Sequence, residues 1–369
     1  MRASQYIEQR KELYNNILLF LDSNDNIEEL YGNLANSLTN KKTNSNKDNF
    51  ELTLKIINKI TKNHHRSPDF IKKIGQIMDL IVENFKKYYF SSLTLFKIFN
   101  NNKLILLYLI NSDIIEIDSY ILEYINNKRF PKSFLLKKYF MKEIYCGLEK
   151  ELKDFEVKRQ IGENDSYICW LIRNDSIEEF VTYVNQANVP LSSKIEQSIY
   201  ETNDFLIKRE ETTLIEYSAF CGSIQIFQFL RINNVQLTPS LWLYAIHGRN
   251  PEIFFLLEEY KIEPLDKSFI KCFIESIKCH HSEITQYIID NHIQHFENFM
   301  NYFFKYYDFN FIPSKVTMRN IQYFVKNSYY PIVKLLLKRK EFDINTKIIL
   351  NIYFLIQFLH LILPNISLL

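Results

Sequence analysis

The chain has 369 residues, of which 47% are hydrophobic and 24% are charged, so it is long enough to bury a sizeable core. Lysine and arginine total 45 against 43 for aspartate and glutamate, and the resulting net charge of +2 gives no strong field for a nucleic acid. Only six glycines and nine prolines are present, which disfavours a glycine-lined nucleotide site and favours helices joined by short connections.

Residues 1–91 are predicted to form a helical N-terminal region. Apolar residues recur at helical spacing in four stretches, 6–21, 27–38, 50–62 and 69–90. The polar segment 39–49 contains no apolar residue, and it is predicted to be a flexible loop. The N-terminus has no early apolar run, so a secretory signal is not expected. The five cysteines are odd in number and lie mostly in apolar helical pattern, which indicates reduced thiols in a cytoplasmic protein.

Residues 92–347 are predicted to be an array of short helices in pairs, clearest over 165–290. The stretch 213–235 is repeated in 240–262 with a shift of 27 residues. Equivalent positions at the start of each second helix are Glu179, Ile226, Ile253, Ile284 and Ile332. Intervals near 30 residues are typical of a helical solenoid, and the longer intervals indicate insertions at about 189–210 and 296–318. Strict alternation is scarce, so almost no sheet is expected.

The letters of this array resemble those of ankyrin repeats. Five residues fall on the family's Thr, second Ala, Gly, Ile and Leu positions: Thr213, Ala219, Gly222, Ile226 and Leu230. Small residues let two helices approach closely, and the Gly permits a left-handed turn between them. The phrases "EYSAFCGSIQIF" and "LWLYAIHGRNPEI" make the chain similar to a protist-expanded family. In that family a helical N-terminal region precedes an ankyrin-type domain of unknown function.

The sequence also departs from the ankyrin pattern. Leu214 stands where the family has Pro, Glu216 where it has His, and Asn234 at the usual turn Gly. Arg249 occupies the Gly position of the next unit unless one residue is inserted after Gly248. The short spacing implies that the β-hairpin fingers are short or absent. The expected fold is therefore all-α, an ankyrin-like helical-hairpin solenoid preceded by the helical N-terminal region.

The resemblance implies that the chain binds an unidentified partner protein through a concave face made from first helices. Residues three apart share a helix face, so the register assigns ten residues to this face. They are Trp170, Arg173, Tyr217, Phe220, Tyr244, His247, Glu275, Lys278, Tyr323 and Lys326. Two interpretations stay open. The aromatic residues either form an exposed ladder for a partner, or they pack between neighbouring first helices.

The apolar segment 348–363 opens the C-terminal part of the chain, 348–369. It is 16 residues long and contains Asn351, Gln357 and His360, whereas a membrane-spanning helix needs about 20 apolar residues. It is expected to pack on the preceding repeat. Two alternatives are a membrane anchor, which would make the chain a membrane-attached structural protein, and the exposed end of a truncated repeat array.

Motifs for catalysis and cofactor binding are missing from the sequence. It lacks the glycine-rich phosphate loops, the G-x-S-x-G elbow and the H-E-x-x-H pair, so no enzyme activity and no cofactor are expected. An active site assembled from distant residues is the remaining enzymatic alternative. The segment 22–33 begins like a calcium loop but has Ile27 for the essential Gly and Asn33 for the essential Glu.

Histidines and cysteines cluster in two places without the spacing of a metal site. Cys272 and Cys279 lie seven apart in "CFIESIKCHH", with no second paired motif, so no metal is expected there. His64 and His65 lie in a predicted loop and are expected to be solvated. The function expected from the sequence is a non-catalytic scaffold or adaptor, which binds a protein but no nucleic acid.

Overall fold

A computed structural model describes residues 2–39, 46–67, 69–126, 140, 153–209 and 211–338. Over these residues the chain forms twenty α-helices and no strand, and its only β-type pairing is an isolated bridge between Lys194 and Thr213. The predictions of an all-α fold and of almost no sheet are confirmed for this part of the chain. The C-terminal segment 348–369 lies outside it, as does Pro68.

The N-terminal region contains four helices, each predicted from its apolar spacing. They are α1 (Ala3–Asp22), α2 (Ile27–Thr39), α3 (Lys47–Asn63) and α4 (Phe70–Lys87). Helix α3 begins inside the predicted polar loop because the side chain of Asn46 accepts a hydrogen bond from the backbone N–H of Asn49. Residues 40–45 of that loop are outside the described residues.

Four further helices precede the clearest repeats: α5 (Ser92–Phe99), α6 (Lys103–Asn111), α7 (Ser119–Asn126) and α8 (Lys153–Ile161). Helix α5 packs against α3, α6 and α7, and α6 also packs against α4. These helices therefore join the N-terminal region to the rest of the chain through direct contacts.

Five helical hairpins follow, at the predicted places. They are α9 (Tyr167–Arg173) with α10 (Ile177–Gln186), α12 (Leu214–Cys221) with α13 (Ile224–Ile232), α14 (Leu241–Gly248) with α15 (Pro251–Glu259), α16 (Ile270–Cys279) with α17 (Ser282–His292), and α19 (Met318–Lys326) with α20 (Tyr330–Lys338). Each predicted landmark, from Glu179 to Ile332, is the third residue of a second helix. The 27-residue and longer intervals in the sequence therefore mark equivalent positions in successive hairpins.

The turns inside the hairpins use the left-handed backbone conformation. Gly222 has φ of 75° and ends α12, as the repeat pattern predicts. Arg249 takes the same role after α14 with φ of 53°, so it occupies the turn position without an inserted residue. Glu216, which departs from the ankyrin pattern, completes a capping box with Thr213 at the start of α12.

The two predicted insertions carry short helices of their own. The first contains α11 (Asp204–Ile207), and the second contains a 3-10 turn (Phe296–Phe299) followed by α18 (Met300–Tyr306). Both helices have buried phenylalanines, Phe205 in the first and Phe303 and Phe304 in the second. The insertions therefore add to the core as well as lengthening the connections.

First helices pack against first helices in chain order, from α9 through α12 and α14 to α16. The insertion helix α18 packs between α16 and α19 and so continues the row. Among second helices, α13 packs against both α10 and α15. The N-terminal region is packed against this array, because α3 contacts α11, α16 and α20, and α1 contacts α20. One side of the first-helix row is thus partly covered by the chain's own N-terminal helices.

Candidate functional site

A cleft of about 1130 Å³ lies where the first-helix row meets the N-terminal region. We call it the cleft. One wall comes from the segment after α3, including His65 and Arg66, and the other from α9, α12 and α14. Five of the ten predicted binding residues line it: Trp170, Arg173, Tyr217, Phe220 and His247.

The exposed part of the cleft is an aromatic wall on α9. Trp170 is 45% exposed and Tyr167 is 51% exposed. Their rings stack with centroids 5.8 Å apart and an angle of 9° between the planes, and Tyr183 meets Tyr167 edge-on at 5.2 Å. Helical spacing of three places both rings of the stack on one face. Stacked aromatic rings of this size are the side chains that most often anchor a protein partner.

Two further aromatic positions of the predicted ladder are interior, which favours the interpretation that they pack between neighbouring first helices. Tyr217 is 1% exposed and Tyr244 is 2% exposed. Phe205 of the first insertion covers Tyr244: its ring lies 4.9 Å from that of Tyr244 and 4.2 Å from that of His247. The sequence offered no sign of this cover, because Phe205 lies in a segment with no counterpart in the repeat pattern.

The four remaining predicted residues do not line the cleft. Glu275 is buried and binds Lys278 through Oε2 and Nζ at 2.6 Å. Tyr323 is half-buried with its ring 5.2 Å from Phe304, and Lys326 is exposed at the end of α19. The ten residues therefore do not form one continuous surface.

Two of the four lysine and arginine side chains that line the cleft, Arg173 and Lys158, are paired with carboxylates. The Arg173 Nε atom lies 2.9 Å from Glu163 Oε2, and its Nη1 donates to the Tyr217 hydroxyl at 3.0 Å. Lys158 pairs with Asp165 at 2.9 Å. Such pairing neutralises part of the charge on the walls of the cleft.

The ionisable groups at the cleft floor are held in structural bonds. Glu201 accepts hydrogen bonds from the backbone N–H of Thr202 at 2.9 Å and of Asn203 at 2.7 Å, and burial raises the pKa of its carboxyl. Burial lowers the pKa of His247, whose Nε2 lies 3.2 Å from Glu275 Oε1. Neither group is placed as a free general base.

One group of three buried side chains could offer donor atoms to a metal. The ligand atoms of His247, Glu275 and Cys279 lie within 4.8 Å of one another. However, Lys278 already neutralises Glu275, and burial raises the pKa of the Cys279 thiol well above its usual value. The Cys279 sulfur also lies 3.5 Å from both ring nitrogens of His247. This arrangement fits a hydrogen-bonded core better than a zinc site.

The contact between the N-terminal region and the hairpins is rich in histidine. His64 bonds through Nδ1 to the Cys279 carbonyl at 2.8 Å and through Nε2 to Asp22 at 2.7 Å. His65 Nδ1 lies 3.0 Å from the His247 carbonyl. His64 is 1% exposed, so the expectation that it is solvated was wrong. The two His-His pairs of the sequence, 64–65 and 280–281, meet at this contact. They are the sequence feature that could have indicated it.

The segment that begins like a calcium loop binds an ammonium group of the protein. Lys73, which is buried, donates to the carbonyl oxygens of Leu21 at 3.2 Å and Ser23 at 2.7 Å, and to Asn24 Oδ1 at 3.0 Å. Asp22 instead bonds His64 and lies 2.9 Å from Arg249. The oxygen atoms at the start of this segment thus serve to attach α4 to the end of α1.

The chain matches no protein-family model, no curated protein sequence and no solved structure. Within the described ranges, no helix combines the length and the apolar character needed to cross a membrane. The segment 348–363, for which a membrane anchor was one interpretation, is not among those residues.

Proposed function

We propose that the protein is a non-catalytic binding scaffold, whose helical hairpins form an ankyrin-like solenoid and whose cleft holds a peptide segment of a partner protein. The observation that carries the proposal is the stacked pair Tyr167 and Trp170, exposed at the mouth of the cleft. Large exposed aromatic rings beside a concave surface are typical of protein-binding sites.

The size and the charge of the cleft favour a peptide segment over other ligands. A volume of about 1130 Å³ exceeds the usual range for a site that encloses one small molecule. Because Arg173 and Lys158 are paired with carboxylates, few of the positive charges that line the cleft are free to contact the phosphates of a nucleic acid. Glu201 and His247 are held in structural bonds, which supports a binding role over catalysis.

The proposal is tested by capture of partners from native cell lysate with two matched variants. Trp170→Ala removes an exposed ring from the cleft, whereas Phe255→Ala removes a 65% exposed ring from the second helix α15. A partner retained by wild type and Phe255→Ala but lost by Trp170→Ala supports binding in the cleft. Equal loss or equal retention in both variants contradicts it. Circular dichroism establishes that both baits are folded.

A further inference from the structure

A second cavity, of about 520 Å³, lies between α3 and the α5–α6 connection, and its wall is basic. We call it the lysine pocket. Four lysines line it against a single carboxylate: Lys55, Lys59, Lys62 and Lys97, and Glu51. The lining residues also include three asparagines, whose amides can donate further hydrogen bonds. It shares no lining residue with the cleft, so it does not depend on the proposed function.

The lysines converge because of helix geometry. Lys55, Lys59 and Lys62 are spaced by four and three residues along α3, so they lie on one face. Lys97 approaches from the last turn of α5, which packs against α3. Lys305 of α18 adds its positive charge from a third direction, and it lowers the pKa of Lys59.

Two of the four lysines are in no ion pair within the described ranges, although the charge of Asp204 acts on Lys59. Lys55 pairs with Glu51 at 2.7 Å, and Lys62 lies 3.4 Å from Asp204. Lys59 lies 5.9 Å from the ring centroid of Tyr306, and neither it nor Lys97 forms an ion pair with any residue in the described part of the chain. The walls of the pocket therefore carry more positive than negative charge.

This concentration of charge is unfavourable without a ligand. Burial and the neighbouring charges of Lys62 and Lys305 lower the pKa of Lys59 to about 8. A lowered lysine pKa means that the protonated state is destabilised where it sits. An anion bound in the pocket would stabilise the protonated state of Lys59, because it would pair with Lys59 and Lys97 together.

We propose that the lysine pocket binds the phosphate groups of a small phosphorylated molecule, either free in solution or as the headgroup of a lipid. Ammonium groups are effective phosphate donors because they are compact charges with three N–H bonds. A volume of about 520 Å³ suits one small molecule and is within the usual range of ligand sites.

The test measures binding of inositol trisphosphate and inorganic pyrophosphate to the full chain by isothermal titration calorimetry at physiological salt. The variant Lys59→Gln with Lys97→Gln removes the two unpaired charges. The control, Lys194→Gln with Lys271→Gln, removes two exposed lysines elsewhere. Because two charge-assisted bonds are lost, the first pair is expected to weaken binding by roughly tenfold or more, and the control by less than about twofold.

Two outcomes overturn the proposal. Wild-type protein that shows saturable binding neither to the soluble probes nor to vesicles containing a phosphorylated inositol lipid has no such site. If both double variants weakened binding equally, binding would depend on the net charge of the protein and not on the lysine pocket. Binding to the vesicles that a soluble headgroup fails to displace assigns the lipid source, and binding to the soluble probe alone assigns the free molecule.

A charge-preserving variant keeps the test valid if the glutamine pair fails to fold. Lys59→Arg is expected to bind the probes, because the positive charge remains. Wild type near pH 8 should take up protons on binding, because the ligand raises the pKa of Lys59 from about 8. Titrations in buffers of different ionisation enthalpy measure that uptake, and Lys59→Arg should reduce it. Equal uptake by the two proteins would contradict the role of Lys59.

Discussion

At the scale of single residues, burial separates the aromatic side chains of the first helices into two kinds. Tyr217 and Tyr244 are almost fully enclosed, whereas Trp170 is 45% exposed. An enclosed ring contributes to the free energy of folding, and an exposed ring in a concave surface is available to a partner. The same register position is therefore enclosed in the core in α12 and α14, and exposed at the cleft in α9.

Tyr217→Ala is expected to lower the melting temperature strongly. Removing a buried aromatic ring costs about 3–5 kcal/mol of stability. Tyr217→Phe is the matched control. It keeps the ring and removes only the hydrogen bond from the charged Arg173, and such a bond is worth about 1.5–3 kcal/mol. Thermal melts followed by circular dichroism measure both. An alanine variant as stable as the phenylalanine variant would show that the ring is not in the core.

The register of the repeats could be predicted from the sequence, but the burial of some of its residues under Phe205 could not. The register of the repeat resemblance identified which residues share the first-helix face, and Trp170, Arg173 and Phe220 do line the cleft. Tyr244 is covered by Phe205, which belongs to an insertion, and His247 by the same ring. A contact made by a segment outside the repeat leaves no trace in the repeat pattern.

At the scale of helices, a glycine sets how closely α12 and α14 approach. A Cβ atom added at Gly248 would lie 2.1 Å from the carbonyl oxygen of Ala219 and 2.8 Å from the backbone nitrogen of Gly222. Backbone atoms cannot move aside as a flexible side chain can. The close approach of these two first helices therefore requires glycine at this position.

Gly248→Ala is expected to destabilise the protein by about 2 kcal/mol or more, because the added methyl group separates two packed helices. Gly75→Ala is the control. Gly75 lies inside α4 with no atom within 4 Å of an added Cβ, so alanine there should stabilise by about 0.5–1 kcal/mol. Urea denaturation compares the two. If both variants were equally stable, α12 and α14 would not be in backbone contact at Gly248.

The positions of helices and hairpins could be predicted from the local sequence pattern, whereas the ends of helices were predicted less accurately. Apolar spacing placed α1, α2 and the hairpin landmarks, because amphipathic helices bury one face. The start of α3 was missed by three residues, since the side-chain cap of Asn46 lies in a segment without apolar residues. Helix α18 lies in a predicted insertion that gave no sign of its packing against α16.

At the scale of the whole molecule, buried histidines join the N-terminal region to the hairpins. Burial holds the pKa of His65 at about 4 and that of His280 at about 3, and it lowers the pKa of His281 well below the usual value. His280 bonds Tyr14 of α1 at 3.0 Å, and the ring of His281 lies 5.1 Å from that of His64. Neutral histidines are therefore part of this contact.

The folded protein is expected to lose stability as the pH falls from about 6.5 to about 4. Unfolded histidines take up protons near pH 6.5, while these buried ones stay neutral, so acid favours the unfolded state. Each histidine contributes up to about 1.4 kcal/mol per pH unit. Asp308 opposes the trend, because burial raises its pKa to about 7 and the folded state keeps its proton. Melting temperatures measured across this range give the slope.

His281→Phe isolates one member of the group. His281 is fully buried, and neither ring nitrogen has a hydrogen-bond partner among the residues that the structure describes. Replacing it with an apolar ring should therefore leave stability at neutral pH equal or higher, and should reduce the slope with pH. A slope identical to that of wild type would mean that His281 does not remain neutral in the folded protein.

The measurement that tests the proposed function most directly is site-specific crosslinking from the cleft. A photoreactive benzoyl-phenylalanine replaces Trp170 in one protein and Phe255 in another, and each is irradiated in native lysate. We predict that a discrete partner protein is crosslinked from position 170 and not from position 255, and that a peptide from this partner blocks the product. The same products from both positions, or none from position 170, would contradict the assignment of the cleft as the binding site.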